Sequence, residues 1–111
     1  MASVEFQDFD KLDIRSGTIF KAEVFEEARN PAYQLWIDFG TEVGMKKSSA
    51  QITELYSPEE LVGRQVLAVV NFKPKQIANF MSECLVLGLK TESGVALIQP
   101  DRAVQNGLKL S

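Results

Sequence analysis

"SPEELVGRQVLAVVNF" (residues 57–72) places a short helix directly before a strand. Ser57 stands as an N-cap, and Pro58 suits the first helical position because that position needs no N–H donor. Glu60 completes a capping box, its carboxylate reaching back to the backbone of Ser57. Gly63 stops the helix after Val62, since glycine takes the left-handed backbone of a helix end at no steric cost. "RQVLAVVNF" (64–72) is apolar on both faces, which predicts a strand covered on both sides.

Strands are expected on either side of this unit. "IRSGTIFKAEVF" (14–25) reads as a strand bent at Gly17, with Thr18, Phe20, Ala22 and Val24 on one face and Ile19, Lys21, Glu23 and Phe25 on the other. "EEARNPA" (26–32) is a loop, because Pro31 holds Asn30 out of the helical region. "YQLWIDFG" (33–40) alternates, Tyr33, Leu35, Ile37 and Phe39 inward and Gln34, Trp36 and Asp38 outward, as a half-buried antiparallel strand does. "GTEVG" (40–44) predicts a tight connection and "MKKSSAQI" (45–52) a returning strand. "CLVLGL" (84–89) and "GVALIQP" (94–100) flank the turn sequence "KTESG" and predict a hairpin. Near the start, Phe9 and Leu12, with Asp8 as cap, predict one or two helical turns. The expected class is all-β with short helices. A helix between strands 3 and 4 is the order of a five-stranded OB-fold barrel, and the pattern by itself also suits other small antiparallel barrels.

The chain has 111 residues and 45% hydrophobic content, the length of one domain able to bury a core without disulfides or metal. It divides into an N-terminal extension (1–13), a barrel (14–100) and a C-terminal extension (101–111). No histidine is present, so a Ser-His-Asp triad, a Cys-His pair and a His-ligated zinc site are excluded within one chain. The single Cys84 cannot form an internal disulfide and is expected to be a small buried or half-buried strand residue. The carboxylates fall at helix starts and in loops, not in a catalytic constellation, so no enzyme activity, cofactor or metal is expected. "DFG" (38–40) is a strand end without the loops of a kinase. "GTEVGMKKSS" lacks the spacing of a phosphate loop, and nothing fixes a base beside Ser48 or Ser49. The acidic opening "MASVEFQDFD" and the absence of a long apolar run predict a cytoplasmic protein with no membrane insertion.

Charge is unevenly distributed. Residues 44–82 hold Lys46, Lys47, Arg64, Lys73 and Lys75 against Glu54, Glu59 and Glu60, a surplus of two positive charges in a chain of net charge −3. Local potential decides whether an acidic protein binds a polyanion, so converging cations matter more than the total. The bland alternative is that these lysines are merely solvated.

"KLDIRSGTI" (11–19), "KAEVFEEARNPAYQLWIDFG" (21–40), "KKSSAQI" (46–52) and "VVNFKPKQIANFMSE" (69–83) occur in order and at the right spacing. On these the chain resembles the tRNA-binding domain family. That family includes the C-terminal appendage of bacterial methionyl-tRNA synthetases and stand-alone bacterial tRNA-binding proteins. Within it, the chain most resembles a bacterial branch of homodimeric, export-associated chaperone-like proteins. The resemblance implies an OB barrel. It also implies tRNA-facing residues in two stretches: Lys46, Lys47, Ser48, Ser49 and Gln51 in the first, and Asn71, Lys73, Lys75, Gln76, Ile77 and Ser82 in the second. Lysine attracts phosphate, while short polar side chains read base edges or 2′-hydroxyls. Phe72 or Phe80 would stack on a base if exposed, although an aromatic beside a strand is more often core. Two departures stand out: Gln76 occupies a position where the family carries a second cation, and Cys84-Leu85 replaces the Gly-Met of stand-alone tRNA binders.

The resemblance further implies a homodimer. Val4, Phe6, Phe9 and Leu12 near one end, and Val104, Leu108 and Leu110 near the other, are many apolar residues for chain termini. Paired termini would bury them, the alternative being that each end packs on its own barrel. The expected function is an export-related chaperone-like dimer that binds unfolded or presecretory polypeptides, in contact with the export machinery, and binds tRNA. The alternative is a stand-alone, structure-specific tRNA-binding protein with no chaperone role.

Overall fold

Strand β1 (Ile14–Val24) serves different neighbours along its two halves. Ile14 to Thr18 runs antiparallel to β4 (Gln65–Val69), and Thr18 to Val24 antiparallel to β2 (Tyr33–Asp38). In the computed structural model, which describes residues 1–111, β3 (Met45–Ala50) continues the sheet beyond β2, and β7 (Leu85–Val86) continues it beyond β4. The order β3-β2-β1-β4-β7 forms a nearly closed, five-stranded antiparallel barrel of the OB type, as expected. Helix α3 (Pro58–Leu61) lies between β3 and β4 with the cap read from the sequence. The Glu60 N–H donates to Ser57 Oγ at 3.4 Å, and the Ser57 N–H donates to Glu60 Oε1 at 2.7 Å. Leu61 is fully buried against the barrel, and Gly63 leaves the helix at φ +93° with its N–H on Ile19 O.

The inward faces are largely as the alternation predicts. Ile19, Leu35, Ile37, Phe39, Leu61, Val66 and Ala68 are fully buried in one cluster. A smaller cluster of Phe25, Ala32 and Phe80 packs with Trp36 and Ile77 beneath a hairpin made of β5 (Lys75–Ile77) and β6 (Phe80–Ser82). A second hairpin, β8 (Gly88–Thr91) with β9 (Gly94–Leu97), forms around the predicted turn, where Thr91 Oγ1 donates to Gly94 O at 2.6 Å.

Several local expectations change. The first helix, α1 (Phe6–Asp10), is capped by Glu5, not Asp8. Asp8 sits three residues further in, and its carboxylate accepts the Glu5 N–H at 3.2 Å. "GTEVG" holds a one-turn helix, α2 (Gly40–Val43), closed by Gly44 N–H on Gly40 O. The run 84–89 is not one strand: Leu85–Val86 joins the barrel, and the hairpin begins at Gly88. In β1 the register slips between Ile19 and Lys21. This bulge reverses the alternation, so Ile19 points inward with Ala22, while Phe20, Lys21 and Glu23 face solvent.

Gly17 is required by packing. A Cβ there would stand 2.6 Å from Phe39 Cδ1 and 2.8 Å from Ile37 Cγ2, and both of those side chains are fully buried. Neither can move aside without disturbing the core. Gly17→Ala is therefore expected to lower stability by about 1–3 kcal/mol, as overpacked cores do, measured by urea unfolding. Combining it with Phe39→Leu should restore part of the loss; full wild-type stability of Gly17→Ala would show the contact to be compliant.

Candidate functional site

The barrel closes where β3 meets the segment Ser82–Cys84, and this seam is made by side chains as much as by backbone. Glu83 N–H donates to Lys47 O at 2.7 Å, and Lys47 N–H returns a bond to Glu83 Oε1 at 2.9 Å. Ser49 N–H donates to Ser82 Oγ at 3.0 Å, and Ser48 Oγ donates to Cys84 O at 2.9 Å. The two stretches singled out from the sequence thus lie side by side, although they are more than thirty residues apart in the chain. Beyond Ser49 no hydrogen bond crosses the seam, and it opens into a groove of about 700 Å³.

Ser49, Gln51, Lys73, Lys75, Ile77 and Ser82 line this groove. Phe72, 48% exposed, lines it as well. Ile52, Leu85, Val86, Leu87 and Val95 give it an apolar floor, and Lys90 adds a further cation. Lys73, Lys75 and Lys90 form no ion pair, whereas Lys11, Lys21, Arg15 and Arg102 each pair with a carboxylate. The one carboxylate in the lining, Glu83, is turned onto the Lys47 N–H.

Other assigned residues are placed elsewhere. Ser48 is a correction: it is 1% exposed and faces the core, its hydroxyl committed to Cys84 O, so it offers no surface to a ligand. Lys46 and Lys47 are half-buried on β3, and the Lys47 ammonium lies 5.1 Å from the Phe80 ring. Asn71 is exposed, yet its amide holds the N-terminal extension: Oδ1 accepts the Asp13 N–H at 2.9 Å and Nδ2 donates to Lys11 O at 2.8 Å. Gln76 donates to Ala78 O across the hairpin turn at 3.2 Å. Phe80 is core, edge-on to Phe25 at 5.4 Å and to Trp36 at 5.9 Å, which leaves Phe72 as the exposed aromatic of the pair. The sequence assignment missed Lys90 and Val95, which sit in segments read only as a hairpin and its turn, and Leu85, which the sequence marks only as a departure from the stand-alone tRNA binders.

At the termini, Val4 and Phe6 are 79% and 73% exposed, and Leu12, Leu108 and Leu110 are exposed as well. Phe9 is half-buried, 6.0 Å from Phe6 ring to ring. The C-terminal extension docks its backbone on β1, with Gly107 N–H on Ser16 O, Ser16 N–H on Leu108 O and Leu110 N–H on Ile14 O. Val104, half-buried, is held by both atoms of the Gln65 amide. Arg15 locks the tail further, donating to Gly107 O at 2.9 Å while paired with Asp13 at 2.6 Å. The backbone of this tail is satisfied, but its leucines are uncovered.

Cys84 is buried, one residue before β7. Burial pushes its thiol up to about 12, and the Ser48 hydroxyl and the Lys46 charge offset this only in part. An unfolded thiol ionises near about 8.5. Above that value the unfolded chain binds fewer protons than the folded one, so this group's contribution to stability is complete below about pH 8.5 and is lost as pH rises towards about 12. Compared with wild type, Cys84→Ala should lose less stability over that range, read from unfolding curves at successive pH. Native protein should also react with iodoacetamide far more slowly at about pH 8 than protein in urea. Equal rates would refute the burial.

The family described as putative tRNA binding domain matches residues 14–109. Among solved structures, the chaperone CsaA from Bacillus anthracis is 55% identical, with TM-score 0.92, covering 99% of this chain and 100% of that one. The CsaA chaperone protein from Picrophilus torridus is 50% identical, with TM-score 0.94, covering 98% and 100%. Among curated relatives, a methionine–tRNA ligase from Bdellovibrio bacteriovorus is 39% identical over 98% of this chain, which spans only 16% of that ligase. With the fold and nearly the whole length in agreement, the chain belongs to the family of putative tRNA binding domains.

Proposed function

We propose that the chain acts in the cytoplasm as a homodimeric, chaperone-like module related to protein export, binding unfolded or presecretory polypeptide segments and also tRNA. The observation that carries this reading is the groove at the open end of the seam, with an apolar floor and three unpaired lysines on its lining. An apolar, partly concave surface takes up apolar side chains of an extended polypeptide. The same lysines attract phosphates, Ser49, Gln51 and Ser82 present polar atoms to bases or 2′-hydroxyls, and Phe72 offers a stacking face worth about 1–3 kcal/mol per base. The likeness to two chaperones called CsaA supports the first activity, and the family description supports the second.

Dimerisation through the termini fits the uncovered side chains of Val4, Phe6, Leu12, Leu108 and Leu110. Two copies of a small site on one particle raise avidity without any new contact. Light scattering should give twice the monomer mass, and Phe6→Ser combined with Leu108→Ser should shift the protein towards monomer; a monomeric wild type would remove the geometry.

Parallel titrations separate the two ligands. Unfractionated tRNA should bind with a steep salt dependence, and Lys73→Ala with Lys75→Ala should flatten the slope of log affinity against log salt by about two. An unchanged slope would overturn the placement of the RNA site. Binding of an unfolded peptide should be nearly independent of salt and should weaken in Leu85→Ser. If tRNA binds and no peptide does, the second reading holds, that of a tRNA binder with no chaperone role, which the three lysines by themselves favour.

A further inference from the structure

Lys90 lies on β8 directly opposite Val95, and these two residues line both the groove and a shallower recess beside it. Its position on the sequence, at the edge of a predicted turn, gave no reason to group it with the residues of the 71–83 stretch. Folding brings it to them. Lys73 and Lys75, just before and at the start of β5, and Lys90 on β8 approach one groove from two separate segments. Lys90 is exposed and makes no ion pair, so its charge is available to a ligand.

The two sides of Lys90 differ in charge. On the groove side the one acidic residue is Glu83, whose carboxylate accepts the Lys47 N–H. On the recess side stand Glu54 and Glu92, which repel phosphate. A polyanion reaching Lys90 is therefore favoured along the groove, past Lys73 and Lys75, and disfavoured from the recess. Gln76 cannot serve in its place, since it is neutral and its amide is turned onto Ala78 O.

We infer that Lys90 is a phosphate-contacting residue of the RNA site and supplies the third cation that Gln76 does not. This rests on the proposed tRNA binding. The test compares three proteins with wild type in tRNA titrations at several salt concentrations: Lys90→Ala, Lys90→Arg, and Arg102→Ala as a control. Arg102 is exposed, pairs with Asp101 and lines neither the groove nor the recess, so its removal changes net charge equally without touching the site. Lys90→Ala should flatten the salt slope by about one, so that wild type loses about threefold more affinity than the variant between about 50 and about 200 mM salt. Lys90→Arg should behave as wild type, and Arg102→Ala should leave the slope unchanged. If Lys90→Ala matches wild type while the Lys73 and Lys75 double variant is impaired, this inference is overturned and the RNA site stands. Equal losses in Lys90→Ala and Arg102→Ala would overturn it too, as an effect of total charge. If neither Lys90→Ala nor the double variant changes the slope, the RNA reading of the groove falls with it.

Discussion

A five-stranded sheet that ends in β3 on one side and a two-residue β7 on the other has too little strand to close by a continuous ladder. The seam instead uses Ser48, Ser82 and Glu83 to reach across to backbone atoms, so the edge N–H groups of Lys47 and Ser49 are satisfied without a strand beside them. This also fixes what comes before and after it. Ser82 ends β6 and Glu83 follows it, so the hairpin is drawn over the outer face of the sheet, where Phe80 packs on Phe25 and Trp36. Cys84 is drawn into the core, and Leu85 and Val86 meet β4. Because the bridging side chains stop at Ser49, the remaining gap is the groove.

The charge distribution follows from the same arrangement. The protein is acidic overall, yet three lysines without an ion pair, Lys73, Lys75 and Lys90, meet where the lining carboxylate is occupied by a backbone N–H. Lys11, Lys21, Arg15 and Arg102 sit beside counter-ions, and Arg15 is bound both to Asp13 and to the backbone of the C-terminal tail. Polar residues near the site consequently divide into two kinds. Ser48 and Asn71 are consumed in holding the barrel and the N-terminal extension, while Ser49 and Gln51 border open space; Ser82 does both, since it lines the groove while its Oγ accepts the Ser49 N–H.

Legibility followed the range of the interactions. The helix at 57–63 was readable because its cap is made by residues three apart, and the strand at 33–40 because burial follows a two-residue period. The hairpin at 75–82 was not, because its turn residues Ala78 and Asn79 lack a glycine. Ala78 takes φ +51°, at a cost of about 1 kcal/mol that the packing of Ile77 and Phe80 offsets. The bulge at Phe20 left no mark either, since nothing in "GTIFKAEV" distinguishes an extra residue from a continuing strand. Ser48 and Ser49 look alike in sequence, yet one faces the core and the other the groove, and only their register against β2 separates them.

The sequence by itself determined a small antiparallel β fold and the helix between the third and fourth strands, because caps and alternation are local properties, while the OB barrel and the two polar stretches entered through the resemblance to a family. The tertiary structure decided which members of those stretches line the groove, left Phe72 and not Phe80 exposed, and added Lys90 and the apolar floor. Those choices depend on how the two ends of a rolled sheet meet, and the contacts involved join residues more than thirty positions apart, where no local pattern records them.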